Sequence, residues 1–328
     1  MGLKSVAAMT DIPMLLVMIK LNDWYTYLKK EKTKMDNLIR ATAMKGMVRI
    51  VAADTKNIVQ EGTKLHNLSA TGGALLGRML TGGLMMGAVL KNKTDRLTVQ
   101  IKGDGPAMGC LVTAGMNLEV KGYVGNPAVD LPMNDEGRVD VSGAVGKDGK
   151  LTTIIDMGLK EPYVSSVPIF GGEVAEDIAY YYTVSEQLPT AVLLGETLNP
   201  NLSVQAAGGL MIQMMPGHDP MLADLITFRI EELPPLSSLL CDGNSIMEIL
   251  NMLFDDMDLI INAEAEPKYV CDCSRDRVER AFISIGAKEL KTLYDEGKTE
   301  ELVCQFCNKH YHFSNEDIGE IINSISRN

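Results

Sequence analysis

The chain has 328 residues, of which 46% are hydrophobic, 23% charged and 5% aromatic, with six cysteines among them. This is a globular composition that excludes a wholly disordered or collagen-like chain, and the length leaves room for more than one domain at about 100 to 200 residues each. Forty-three acidic against thirty-one basic residues give a net charge of -12, so the overall field disfavours nonspecific attraction to nucleic-acid phosphate and anionic membrane surfaces.

Residues 1–34 differ from the rest of the chain. They hold the only tryptophan, Trp24, and end in a lysine-rich run just before Met35. The apolar run at 12–19 contains Pro13 and is short of the roughly 20 residues that cross a bilayer. With no small-residue cleavage pattern after it, neither a membrane span nor a secretory signal is expected. The segment reads as an extension ahead of a translation start at Met35, on a cytoplasmic protein.

From Met35 onward the pattern is regular. Alternation around Met47, Val48, Arg49, Ile50 and Val51 predicts a first strand. Residues 67–90 place Leu75, Leu76, Met79, Leu80, Leu84, Met85 and Val89 at near-helical spacing among glycines, which predicts a buried helix with a break at Gly82 and Gly83. Glycine inside a helix costs up to about 1 kcal/mol relative to alanine, so close helix-to-sheet contact is the expected compensation. Strand-like runs at 97–102, 109–114, 118–123, 151–156 and 203–215 alternate with turns, and a helix is expected at 173–188. The expected class is α+β: a core domain at 35–217 with a mixed or antiparallel sheet and packed helices.

Past Pro216 the character changes. Asp219 can cap a helix with Pro220 at its first position, and Leu222, Leu225, Ile226, Ile230 and Leu233 share one face until Pro234-Pro235. Ser245 and Glu248 form a capping-box pattern ahead of Ile246, Ile249, Leu250 and Leu253. An acidic stretch comes next, and the whole of 218–268 reads as a helical linker to a small C-terminal domain at 269–328.

Several motifs fail on inspection. In 103–109 the third glycine comes one residue late for a dinucleotide loop and Pro106 obstructs a helix start, so a turn is expected. Gly297-Lys298-Thr299 lacks the upstream glycine of a phosphate-binding loop. His66 and His218 stand alone, and Cys110 lies in an apolar run as a buried thiol would.

The chemistry concentrates in Cys271-x-Cys273 and Cys304-x-x-Cys307, two close pairs separated by thirty residues. Four thiolates fill the tetrahedral shell of Zn²⁺ at about 2.3 Å each, and such closed sites are structural rather than hydrolytic. His310 and His312 are near enough in sequence to replace one thiolate. The tail is too short for a large core, so metal binding should supply much of its folding free energy, roughly 10–16 kcal/mol in zinc-finger peptides. Thiolates are also the oxidisable form of cysteine. Spacing alone leaves two readings open, a permanent structural zinc and a redox switch coupled to unfolding.

The cysteine pairs, with Ser274, Tyr311, Phe313 and Asp317-Ile318 around them, resemble the zinc tail of the thirty-three kilodalton chaperonin family of redox-regulated holdases. Segments 100–106, 122–127, 158–163, 172–177, 185–187 and 206–209 are similar to that family's core, so the resemblance spans about 35–323. It implies a non-enzymatic, ATP-independent chaperone against oxidative and heat stress, with one Zn²⁺ per chain in the reduced state. Oxidation would then form Cys271–Cys273 and Cys304–Cys307 disulfides, release zinc, unfold the tail and loosen the linker. Unfolding client proteins would be bound, activated subunits would associate as homodimers, and no nucleic acid or membrane would be engaged. The faces carrying Leu222, Leu225 and Ile226, and Ile249, Leu250 and Leu253, are the expected client surface, held against the core until the tail melts. A thiol oxidoreductase and a zinc-ribbon nucleic-acid binder are the alternatives. Against the first, the C-x-x-C pair sits in a four-cysteine set; against the second, the tail is rich in acids.

Overall fold

A computed structural model describes residues 35–325. Residues 1–34, where the sequence suggested an extension, and 326–328 lie outside the described residues. The strand expected near Met47 is β2 (Val48–Asp54), and an unanticipated β1 (Asn37–Ala43) precedes it. Both are covered on two sides: Ile39, Ala41, Val48, Ile50 and Ala52 enter one apolar cluster, whereas Leu38, Val51 and Ala53 enter another. Burial of both faces blurs the polar-apolar alternation by which a strand is read.

After α1 (Lys56–Leu65), Ser69 caps α2 (Ala70–Gly87) by accepting from the Gly72 N–H. α2 is unbroken. A Cβ on Gly82 would come within 2.4 Å of Ile178 Cδ1, and one on Gly83 within 2.8 Å of Val112 Cγ1. These glycines therefore permit close packing, as expected, and do not interrupt the helix. Every residue of α2 except Ala70 and Arg78 is buried, and the Arg78 guanidinium is matched by Glu196 at 2.9 Å and by Glu173.

The remaining core elements are β3 (Arg96–Lys102), β4 (Cys110–Gly115), β5 (Glu119–Val124), α3 (Val141–Val145), β6 (Lys150–Asp156), β7 (Tyr163–Pro168), α4 (Ala175–Val184), β8 (Thr190–Leu198) and β9 (Val204–Met214). The helix expected over 173–188 is thus shorter at both ends. β7 is largely exposed and β8 is half-buried along its whole length, so neither shows a two-residue period.

Downstream, α5 (Pro220–Glu232) starts as expected, with the Asp219 carboxylate accepting from the Met221 N–H. A short α6 (Leu236–Cys241) precedes α7 (Ile246–Phe254), whose Ser245–Glu248 capping box is formed. The helical character expected through 268 ends at Phe254. Asp258 adopts φ 51, and Ile260-Ile261 is a β-branched pair with no apolar stripe at helical spacing after it. The chain there forms β10 (Ile260–Ala265) and β11 (Lys268–Tyr269).

One five-stranded antiparallel sheet runs β10-β1-β2-β9-β8, and one six-stranded sheet runs β11-β5-β4-β3-β6-β7, in which only the β11–β5 pairing is parallel. α2 lies between the two sheets. On the opposite face of the five-stranded sheet, α5, α6 and α7 cover Ile39, Ile50, Leu210, Ile212 and Met214. The C-terminal segment adds α8 (Arg275–Ile285), α9 (Ala287–Glu296), a β12 (Glu300–Val303) and β13 (His310–Phe313) hairpin, and α10 (Asn315–Ile325). Its own buried cluster is small: Phe282, Leu290, Tyr311, Phe313, Ile318 and Ile321.

Candidate functional site

The two cysteine pairs arrive from different local structures. Cys271 and Cys273 lie in the extended segment between β11 and α8, and Ser274 immediately caps α8 by accepting from the Arg277 N–H. Cys304 and Cys307 lie in the turn between β12 and β13. There the Cys304 N–H donates to the Lys309 carbonyl at 2.9 Å, and the N–H of Asn308 donates to the Cys304 carbonyl at 2.8 Å. Asn308 holds φ 55, a conformation asparagine tolerates better than most residues.

These loops bring all four sulfurs within 4.8 Å of one another. Cys271 Sγ lies 3.7 Å from Cys304 Sγ, and Cys273 Sγ lies 3.4 Å from Cys307 Sγ. A regular tetrahedron with 2.3 Å metal–sulfur bonds has edges of about 3.8 Å, so the spacing fits one Zn²⁺. His310 and His312 do not join the cluster: their rings face Glu301 at 2.9 and 3.5 Å on exposed positions of the hairpin. Successive strand residues point to opposite faces, and Tyr311 between them is the one that turns toward the sulfurs.

Burial pushes the Cys271 and Cys307 thiols up. Burial also acts against ionisation of Cys273, but donation from the Tyr311 hydroxyl at 3.1 Å and from the neighbouring thiols outweighs it and brings Cys273 down to about 7. Four gathered sulfurs, one of them accepting from the Tyr311 hydroxyl, form a donor set suited to Zn²⁺.

The cluster is tied to the core by residues the sequence did not single out. The Tyr269 hydroxyl, from β11, donates to the Phe306 carbonyl at 2.6 Å. The Phe306 ring meets Tyr123 edge-on at 5.3 Å and lies under Lys121 Nζ at 4.9 Å. Lys121 and Arg277 both pair with Asp272 and hold its carboxyl at about 2. Asn308 Nδ2 donates to the Leu65 carbonyl at 2.6 Å, and His66 Nε2 lies 3.1 Å from the Gly122 carbonyl. Burial lowers the His66 pKa, against the Gly122 and Phe306 backbone groups beside it, which raise it. The lone histidine is therefore a packing residue beneath the cluster, and Cys110 is a buried thiol whose pKa burial raises.

Of the expected client-surface residues, Leu222, Ile226, Ile249, Leu250 and Leu253 are buried against the five-stranded sheet, whereas Leu225 is 42% exposed. Among the described residues no helix is long and apolar enough to cross a membrane.

The family model described as Hsp33 protein matches residues 36–314. A 33 kDa chaperonin of Clostridium novyi (strain NT) is 56% identical over 292 residues, covering 89% of this chain and 99% of that protein. One from Clostridium tetani (strain Massachusetts / E88) is 54% identical over 287 residues, covering 88% and 98%. The crystal structure of a 33 kDa chaperonin (heat shock protein 33 homologue) from Thermotoga maritima superimposes with a TM-score of 0.82 at 34% identity, covering 90% of this chain and 99% of that one. Matched from the first core strand through the cysteine-bearing turns, this chain belongs to the Hsp33 family of 33 kDa chaperonins.

Proposed function

We propose that this protein is a redox-gated, ATP-independent holdase of the cytoplasm, which captures unfolding proteins after its four clustered cysteines are oxidised. One observation carries the reading. The four thiols sit where a small, weakly cored domain meets the core, and the segment between them and the core lies on an extensive apolar sheet face.

Bound at the cluster, Zn²⁺ would hold the four sulfurs as thiolates and cross-link two loops thirty-odd residues apart in sequence. Tyr311 orients Cys273, and Tyr269 holds the Cys304–Cys307 turn on β5. With peroxide as oxidant, one thiolate attacks the O–O bond, forms a sulfenic acid and expels hydroxide. A second thiolate then attacks that sulfur, closing an S–S bond and expelling a second hydroxide. Each disulfide therefore gives up two electrons to one peroxide, which leaves as two hydroxides. We assign the pairs as Cys271–Cys273 and Cys304–Cys307, as the family resemblance implies. Such bridges close loops of only a few residues, which restrain the unfolded chain little in the loop-entropy account. The C-terminal segment, with six residues in its buried cluster, then loses its fold.

Loss of that fold removes the C-terminal anchor of the segment carrying α5, α6 and α7. Their release uncovers Ile39, Val48, Ile50, Leu210, Ile212 and Met214 on the sheet and frees Leu222, Ile226, Ile249, Leu250 and Leu253 on the helices. Both surfaces are apolar and suit unfolding clients. The test is a paired measurement on the full chain: zinc release and suppression of client aggregation, before and after peroxide with mild heat. The two should rise together. Activity that is unchanged while zinc is released would leave a merely structural metal.

A further inference from the structure

β10 is an unusual member of its sheet. Five of its six residues are exposed, with Ile260 at 56% and Ile261 at 38%. The strand it covers is the reverse: Leu38, Ile39, Ala41 and Ala43 of β1 are all buried to 1% or less. The pairing Leu38↔Ala265, Ile39↔Glu264, Arg40↔Ala263, Ala41↔Ile261 and Thr42↔Ile260 is interrupted by a bulge at Arg40/Ala41. Besides this ladder, the strand is fixed by Asn37 Nδ2 donating to Glu264 Oε1 at 2.7 Å and by the Met44 N–H donating to the Met257 carbonyl at 2.8 Å. A strand held by backbone pairing with so little apolar burial belongs to the low-stability end of a fold. It ends at Ala265, six residues before Cys271, and only the two-residue β11, paired with β5, lies between it and the cysteine cluster.

We propose that the outer edge of β1 is a docking site for an extended, apolar segment of an unfolding polypeptide, and that β10 is the chain's own occupant of that site. The inference rests on the holdase reading above and names the contact by which a client is held. β10 shows what chemistry the edge accepts: an extended backbone that supplies alternating N–H and C=O groups. Backbone pairing is blind to side-chain sequence, as capture of varied clients requires. Ile39, Ala41 and Ala43 present apolar surface on the face that α5–α7 cover, so lifting those helices would let a docked strand bury its own apolar side chains beside the same edge.

The test uses the full, reduced, zinc-loaded chain carrying Ile260→Pro and Ile261→Pro. Neighbouring strand residues point their N–H groups to opposite sides, so the double change removes an inward donor whichever residue carries it, and the exposed isoleucines contribute little core. The probe is a fluorescent ten-residue Val/Ile/Thr peptide with terminal lysines, alongside the same peptide N-methylated at four consecutive central residues, which blocks both of its edges. The variant should keep its zinc and bind the plain peptide at least tenfold more tightly than the reduced wild type does. It should discriminate against the methylated peptide, and hydrogen exchange should slow across residues 37–43 on binding.

Peroxide-treated wild type should discriminate between the peptides in the same way. Equal binding of the two peptides, or protection of 37–43 that appears without peptide as the protein dimerises, would overturn the proposal. Oxidised wild type that suppresses aggregation without discriminating would remove the edge site and leave the holdase reading standing. A reduced variant that discriminates while oxidised wild type suppresses nothing would keep the edge and remove the redox reading.

Discussion

The Tyr269 hydroxyl donates to the carbonyl of Phe306 at 2.6 Å, joining a two-residue strand on the core sheet to the turn between Cys304 and Cys307. That bond couples the cysteine cluster to the core directly, since Phe306 itself leans on Tyr123 and Lys121. Tyr269→Phe should leave the zinc content at one per chain but loosen the turn by about 1 kcal/mol. Dye-monitored zinc release at fixed peroxide should be several-fold faster than in the wild type, and an unchanged rate would show that the bond is incidental.

Tyr311 acts on the cluster from the other side. Its hydroxyl is the donor to Cys273, and ligand-orienting partners of this kind are worth about 10- to 100-fold in metal affinity. Tyr311→Phe should weaken zinc binding within that range in a chelator competition. His310→Ala and His312→Ala should leave it unchanged, because those rings face Glu301 and not the sulfurs.

Leu250 is fully buried in α7 against the five-stranded sheet. Leu250→Ala should cost about 2–5 kcal/mol of local packing, speed hydrogen exchange over residues 246–254, and give the reduced, zinc-bound protein partial ability to suppress client aggregation. Leu225→Ala, at an exposed position of α5, should do neither.

Asp36 provides a pH test of the core that is independent of the cysteines. Its carboxylate accepts from the backbone N–H of Asn57 at 2.8 Å and of Ile58 at 2.7 Å, yet burial outweighs these bonds and raises it to about 6. A folded-state pKa above the unfolded value means the native protein holds this proton more tightly. The stabilisation from this proton is complete below the unfolded pKa near 3.8 and is lost as pH rises toward about 6. In urea titrations from pH 4 to pH 7, wild-type stability relative to Asp36→Asn should therefore fall with rising pH and level off above about 6. Zinc-ligand titration is common to both proteins and cancels in the difference.

How much of the molecule can be read from its sequence depends on how local each interaction is. Local signals were legible: Asp219 and Ser245 cap the helices they precede, the glycines of α2 mark close approach, and the C-x-C and C-x-x-C spacings mark four converging thiols. β8 carries no alternation because it is half-buried throughout, and β10 was hidden in an acidic stretch because it buries so little that composition does not mark it. Tyr269, Lys121 and Asn308 act through partners far away in sequence, and nothing beside them in the chain announces those contacts. The apolar faces of α5 and α7 were legible as amphipathic, but only the three-dimensional packing separates buried Ile226 from exposed Leu225.

The central claim is that the cysteine cluster holds the linker helices on the sheet. Hydrogen exchange over residues 246–265 and 275–325, followed together with zinc release in one peroxide time course, tests it most directly. The account predicts that both segments lose protection as zinc leaves, while residues 48–54 and 96–102 stay protected. Zinc release and loss of protection over 275–325 with 246–265 still fully protected would contradict it.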